Sequence, residues 1–492
     1  MKLSCKTPST GPPLCCELRT LLASLILLTF ILTLPAAAQR SPQRDTQAKR
    51  TTQPTGDATR LLQEAAQLLQ AGQLDAAEPL VRGALQAAPQ NADAHNLLGV
   101  ILDQRGKFPE AEQAYRTALR FNPGAISPLA NLGVLLARTK RSNEAIAAFE
   151  SVLQRVPDHR QATLNLGLQY VARGDYARAA PLLERATNLG VNGYEARYNL
   201  GLALYNLKHY DESVSAFEAA SALSPNAPEP LYYLGLIAWS RNQDETAAGF
   251  WDRAATLRPN FPEANFMLGE ALRKNRRTEA SVEFYKRALD QDPTKFVYYA
   301  RLGGAYFLLG QHDPALEIFR RAAERFPKMA EAHYFVGIGA RAKADYDVAE
   351  SEFRKSLVLR PNNVDTLAQL GFIVGERDRY REAEKLLRRA IEINDKHFYA
   401  NYDLGRLLVK SRRYEEALSV LRHAAILKPK NPSVHYQIFT ALSRLKRKEE
   451  AKRELVAFKQ LEEESKSRPP QGEDIELENA DDAPSLTPPY HP

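Results

Sequence analysis

Proline stands at positions 89, 123, 157, 225, 259, 293, 327, 361 and 429, and any two of these are a whole multiple of 34 residues apart. A fixed period of this length means one supersecondary unit copied in tandem, each copy burying its apolar face on the next. A chain of 492 residues would ordinarily form several globular domains. The register predicts a single distributed core instead. With proline at repeat position 32, twelve repeats run without insertion from Ala58 to Ser465.

Other positions then align in columns. Position 8 is glycine in ten repeats, from Gly99 and Gly133 to Gly371 and Gly405, with Ala65 and Phe439 at the two ends. Position 20 is alanine except for Ser213 and Ser281, and position 27 is mostly alanine. Between the columns the apolar spacing is helical, as in Leu97, Leu98, Ile101 and Leu102, then Ala111, Ala114, Tyr115 and Ala118. Each repeat therefore reads as two helices. The first covers positions 1 to 14, a turn often bearing glycine (Gly72, Gly106, Gly174, Gly310) follows, and the second stops before the proline. Glycine inside a helix costs about 1 kcal/mol relative to alanine. Its recurrence predicts close helix approach where positions 20 and 27 present only a methyl group, while Leu132, Phe149 and their equivalents fill the gaps.

Period 34, Leu-Gly at positions 7 and 8, Ala at 20, an aromatic or Leu at 24, Ala at 27 and Pro at 32 together resemble the tetratricopeptide repeat. The segments ADAHNLLGVILDQRGKFPEAEQAYRTALRFNPG and PEANFMLGEALRKNRRTEASVEFYKRALDQDP show the pattern well. The tryptophan usual at position 4 is absent, replaced by residues such as Leu129, Leu231 and Tyr299. The resemblance covers residues 58–465 and implies an all-α fold, a right-handed superhelical solenoid of antiparallel helical hairpins. The twelfth repeat, with Phe439 at position 8 and Phe458 at position 27, is expected to end the stack as a capping hairpin with a polar face.

The ends differ from the repeats. Lys2, Lys6 and Arg19 precede an apolar stretch from Leu21 to Leu34, then Pro35 and Ala36-Ala37-Ala38-Gln39. This is the layout of a signal peptide over residues 1–38, with cleavage expected after Ala38. An uncleaved, membrane-tethering anchor is the alternative, although the stretch is shorter than the ~20 residues of a span. Cys5, Cys15 and Cys16 all lie in this segment, so the processed chain would hold no thiol, which suits an oxidising compartment, periplasmic or extracellular. Residues 39–56 form a polar leader of charge +3, and residues 466–492 comprise the end of the capping helix and an acidic, proline-rich tail expected to be disordered. The tail carries −6 over residues 469–492. With signal, leader and tail set aside, the formal +7 of the whole chain leaves +8 on the repeats, a mild bias over twelve units.

Catalytic patterns are missing. None of the nine histidines forms HExxH or another metal spacing, and there is no GxSxG elbow, Walker loop or GxGxxG after a strand. His95, His333 and His435 share position 4, a packing position. The expectation is a non-enzymatic chain without cofactor or metal. Binding is the better prospect. In the family this resembles, first-helix positions 2, 5, 6, 9, 12 and 13 line a concave groove for an extended peptide or a partner helix. There the sequence places Tyr198, Tyr232 and Phe266 at position 5, Tyr205 and Trp239 at position 12, and Tyr233 at position 6, an aromatic concentration in repeats 5 to 7. Packing between hairpins is the competing explanation for these rings. Asn131, Asn165 and Asn199 repeat at position 6 as a ladder whose amides can hold a peptide backbone, as in repeat-bearing glycosyltransferases, of which only the peptide-holding role carries over. Arg273, Lys274 and Arg301 form a basic group beside the aromatics, a place where the acidic tail would fold back and compete with ligand. The carboxylate clamp of chaperone-binding relatives is not matched, because position 9 offers no asparagine and position 2 is often acidic (Glu195, Glu229, Glu263).

The leading expectation is an exported protein-interaction scaffold in an extracytoplasmic assembly. An RNA-binding helical-repeat protein and a regulatory subunit of a carbohydrate-processing enzyme are the alternatives. The export signal and weak net charge disfavour nucleic acid.

Overall fold

A computed structural model describes residues 54–466; the signal, most of the leader and the acidic tail lie outside the described residues. Within them the chain forms twenty-four α-helices and no strand, from α1 (Pro54–Gln70) and α2 (Leu74–Ala87) to α23 (Pro432–Arg444) and α24 (Lys448–Lys466). The helices alternate as first and second members of hairpins, so the array of helical hairpins expected from the columns is what forms. The chain divides at Ala220 and Ser221 into two compact units. Second helices pack on the first helix of their own repeat and on that of the next, and several successive first helices also touch. The first helices thus form one layer in each unit, which the family pattern makes the inner one.

Two boundaries differ from the sequence reading. Helix α1 begins at Pro54, inside the expected leader, because proline suits a helix start and Asp57 places a carboxylate at the positive end of the dipole. First helices close at position 13 (Ala92–Gln104, Ile126–Arg138) and not 14. The reason is one left-handed residue at position 15 of every repeat. Gly72, Gly106, Gly174 and Gly310 supply it without strain, whereas Lys140, Lys208, Asn242, Arg276, Ala344, Asp378, Arg412 and Lys446 adopt the same conformation with φ of 58 to 63°. The position-16 amide then reaches back to the position-11 carbonyl, as in Lys107 to Leu102 at 2.9 Å and Arg413 to Leu408 at 2.9 Å. This closure satisfies carbonyls that a helix end leaves free.

The second helix ends at position 30 where proline follows, as in Phe108–Phe121 before Pro123. It ends at the same place in repeat 10, where Asp395 replaces proline after Tyr380–Ile393. In both, the position-31 amide bonds to the alanine carbonyl of position 27 (Asn122 to Ala118, Asn394 to Ala390). Proline enforces a stop that the backbone already makes. Its own carbonyl is taken by position 4 of the next repeat: His95 to Pro89, Asn265 to Pro259, Tyr299 to Pro293, His333 to Pro327 and His435 to Pro429, at 2.9 to 3.3 Å.

The glycine column meets position 24, the place of Phe149 and its equivalents, which the sequence predicts to fill the gaps. A Cβ at any of the ten position-8 glycines would stand no more than 2.9 Å from the position-24 side chain of the same repeat. The pairs include Gly99 with Tyr115, Gly235 with Trp251, Gly303 with Phe319 and Gly405 with Leu421. The gap admits the ring or branched chain of position 24, as expected of Phe149 and its equivalents. Trp251, Tyr115, Tyr285, Phe217, Phe319 and Phe353 are consequently among the most deeply buried large side chains. Burying such a side chain stabilises by about 1.5–3 kcal/mol, which exceeds the ~1 kcal/mol a helical glycine costs. Where position 20 is serine, its hydroxyl is satisfied locally, Ser213 by the Gly201 carbonyl at 2.8 Å and Ser281 by that of Thr278 at 2.7 Å.

Ion pairs link neighbouring repeats at the outer turns. Glutamate at position 21 accepts from arginine at position 16 of the next repeat, as Glu112 with Arg141 and Glu384 with Arg413, both at 2.7 Å. Exposed pairs of this kind contribute less than about 1 kcal/mol each. They align repeats more than they hold them.

Gly303→Ala is expected to destabilise by about 2 kcal/mol in urea unfolding followed by circular dichroism, despite alanine's better helix propensity. Phe319→Ala should cost about 3–5 kcal/mol. The double variant should lose at least ~1 kcal/mol less than the sum, because removing the ring empties the space the new methyl needs; strict additivity would show that the two positions do not share it. Gly106→Ala, with nothing within 4 Å of its Cβ, should cost only about 1 kcal/mol through its left-handed φ of 73°.

Candidate functional site

The inner layer of first helices carries the residues singled out from the sequence, and the two units are taken in turn. In the first unit Tyr198 stacks on Tyr194 (5.7 Å between centroids) and leans on Phe217 at 5.9 Å. Tyr205 tilts against Tyr210 at 5.9 Å, and burial raises its phenol pKa. Both keep part of their surface in solvent. The asparagine ladder is not uniform. Asn131 donates to Asn96 at 3.0 Å, and Asn199 donates to the Glu195 carbonyl one turn earlier at 2.8 Å. Asn165 Nδ2 is buried and has no hydrogen-bond partner. A ladder presenting three equivalent free amides therefore does not form, since two of the three donate within the protein.

In the second unit the aromatic group separates into interior and surface. Tyr233 is 2% exposed, Phe266 3% and Tyr232 8%. Tyr232 packs on Phe261 at 5.3 Å, and its carbonyl accepts the Trp251 indole N–H at 3.1 Å. Phe266 lies between Tyr298 at 4.9 Å and Tyr285 at 5.8 Å. The rings of Tyr232, Tyr233 and Phe266 are thus largely used in packing, which corrects their assignment as contact residues. Trp239 is different. It is half-buried, backed by Trp251 at 5.7 Å, with Lys274 Nζ 4.4 Å above its ring and that lysine tied to Asp244 at 2.8 Å.

The basic group meets acids of the chain. Glu270, 9% exposed, meets Arg301 Nε at 3.1 Å and Arg273 Nη2 at 3.3 Å, and accepts the Tyr285 hydroxyl. Burial raises the Tyr285 phenol pKa well above its ordinary value, so it stays a donor. Tyr285 occupies position 24, and its hydroxyl passes through the gap left by Gly269 to reach the inner face. A hydroxyl delivered there requires an acceptor, and the acceptor's charge requires arginine. Arg273, Lys274 and Arg301 thus each meet an acid of the chain itself, the first and last sharing Glu270.

One inner-face group escaped the sequence reading. The Phe372 ring lies between the guanidinium of Arg406 at 4.8 Å and that of Arg341 at 5.3 Å. Glu376 accepts from Arg406 and from Lys410, both at 3.0 Å, and Asp403 sits 3.6 Å from Arg406. The recess they border, about 10 Å³, holds at most one water. Phe372 and Arg406 occupy position 9 and Arg341 position 12, so the groove positions contained the signal, but no residue type repeats there to mark it. Burial, opposed by Arg406, raises the Asp403 carboxyl from its ordinary 3.8 to about 6.

Among the described residues no three or more His, Cys, Asp or Glu side chains are placed to hold a metal ion. No described helix is long and apolar enough to cross a membrane.

Residues 62–126, 131–188, 164–228 and 198–260 match the tetratricopeptide repeat family, and residues 247–475 match the C-terminal domain of cilia and flagella-associated protein 70. No curated protein matches the chain. Among solved structures it is similar to Pseudomonas aeruginosa pilF, at 23% identity over 44% of this chain and 99% of that one, with a TM-score of 0.40. Yeast Tom70 aligns at 14% identity over 80% and 96% of the two chains, with a TM-score of 0.35. A chain of the APC/C hetero-tetramer Cut9-Hcn1 aligns at 12% identity over 79% and 98%, with a TM-score of 0.41.

Because the folded Asp403 pKa lies above the unfolded value, its ionised form weakens the fold above about pH 6, and that loss is relieved as pH falls toward 4. Moving a carboxyl pKa from 3.8 to about 6 corresponds to about 3 kcal/mol. Asp403→Asn should therefore raise the urea midpoint at pH 7.5, with the gain gone at pH 4; an equal gain at both pH values would show that charge is not its cause.

Proposed function

We propose that this array of tetratricopeptide repeats is an exported, non-enzymatic scaffold that holds a protein partner, as an extended peptide or a helix, on the inner layer of its first helices. Trp239 carries the reading. Its aromatic neighbours are spent on packing, yet it keeps solvent-exposed surface on that layer while Trp251 and the Asp244-anchored Lys274 hold its ring in place. A large ring already fixed in one orientation loses little entropy on contact, which is the profile of an interface hot spot. Tyr198 and Tyr205 give the first unit a smaller surface of the same kind. Supporting export are the charged start, apolar stretch and Ala36-Ala37-Ala38 of the leader, and the confinement of all three cysteines to it.

A photo-crosslinking amino acid placed at Trp239 in producing cells should capture a discrete protein partner. The same residue at Val358, 81% exposed on a second helix, should not. Trp239→Ala should reduce co-purification of the captured partner at least ~10-fold with circular dichroism unchanged; equal capture at the two sites, or undiminished co-purification, would overturn the groove reading. Export is tested separately by the N-terminus of the isolated protein, expected at Gln39; a chain retaining Met1 in the membrane fraction would favour the anchored alternative.

A further inference from the structure

Cations recur at the turns between the first and second helices, and many of them have a partner. Arg377 and Arg379 meet Glu350, Arg413 meets Glu384 and Glu416, and Lys343 meets Asp313. Exposed cations without a partner occur singly or in twos elsewhere, as at Lys140, Lys208, Arg276 and Arg277, and the last two repeats hold five. Arg412, Arg444, Lys446, Lys448 and Lys452 are all exposed, and among the described residues none makes an ion pair, side-chain hydrogen bond or ring contact. Lys448 opens α24, where the helix dipole disfavours a cation, so helix stability does not explain it. Arg412 and Lys446 hold the strained left-handed position with φ of 62 and 61°. Residues 428–459 carry nine basic and three acidic side chains, a formal charge of +6.

We propose that this surface docks the chain's own acidic segment, residues 473–482. That segment, EDIELENADD, holds six carboxylates and no base, so the opposing charges match in number. It also has the reach. Helix α24 is 19 residues long, about 28 Å, and the tail leaves from its far end at Lys466. Sixteen further residues to Asp482 can extend about 53 Å, enough to run back along α24 to the turn at Lys446. Ile475 and Leu477 alternate with the acids, and α24 exposes Val456 at 59% for an apolar contact on the way. The docking does not depend on what the inner layer holds. It relocates the fold-back of the tail from Arg273 and Arg301, whose charges Glu270 already meets, to cations that lack a carboxylate.

Carbodiimide coupling of the full chain, which joins a carboxylate to a lysine amine only in direct contact, tests the proposal by mass spectrometry of the joined peptides. The expected product links residues 473–482 to Lys446, Lys448 or Lys452 at low salt, at least ~10-fold reduced in 0.5 M NaCl, where screening shortens to a few ångströms. Coupling a mixture of ¹⁵N-labelled and unlabelled chains should give links within one copy. The variant K446E/K448E/K452E, with helicity unchanged, should not shift the tail to neighbouring lysines with equal yield. Links scattered over other lysines, links only between copies, or yields indifferent to salt would each overturn the assignment. So would binding to phosphatidylglycerol vesicles that is equally strong with and without residues 469–492, since the patch would then serve a lipid surface and not the tail. The salt response of the unaltered chain decides even where the reversed variant fails to fold.

Discussion

The side chain at position 24 occupies the place where a Cβ of position 8 would be, and ten repeats depend on that single exclusion. It fixes how closely the two helices of a hairpin approach and which residue enters the gap. Once Phe, Tyr, Trp or Leu is seated there, the methyl columns at positions 20 and 27 follow, because Ala111, Ala118 and their equivalents must lie flush beside a fully buried side chain. The gap also passes chemistry through the hairpin. Phenylalanine at position 24 stops within it, whereas the Tyr285 hydroxyl, itself buried, donates to Glu270. Tyr115 has a related arrangement in the first unit, with Asp103 and Arg138 (2.8 Å apart) acting on its phenol. A residue chosen for the core thus decides where charge sits on the surface offered to partners.

Much of this was legible in the sequence, because it repeats. The period, the hairpins and the small-residue columns required only counting, and the packing role of His95, His333 and His435 followed from their shared register. What repetition does not mark was harder to see. The left-handed residue at position 15 is glycine in only four repeats, so the eight strained residues, from Lys140 to Lys446, bear no compositional sign of it. The backbone demands that conformation whatever the side chain. Proline misled in the opposite direction: it is the most visible column, yet the helix ending at Ile393 stops without it.

The inner-face residues were legible as a set and not one by one. Tyr232, Phe266 and Trp239 look alike as aromatic groove positions, and only their neighbours separate them. Phe261, Tyr298 and Tyr285 enclose the first two, while Trp239 rests on Trp251 with Lys274 over its ring. Arg301 illustrates the same limit for charge. As a letter in a sequence it is a cation beside aromatics; in the fold it is the counter-ion of a buried glutamate that accepts the hydroxyl of the core residue Tyr285.

This difference between spent and unspent groups separates the parts of the molecule that fold from those free to act. A cation such as Arg273 that offsets a buried acid cannot leave for an external ligand without stranding that acid, a loss of several kcal/mol in a desolvated site. Lys446 and Lys448 carry no such debt. Their solvation is lost only when an anion arrives, and salt opposes that arrival directly. Affinity for acidic segments should therefore concentrate where exposed cations of this kind stand several to a repeat.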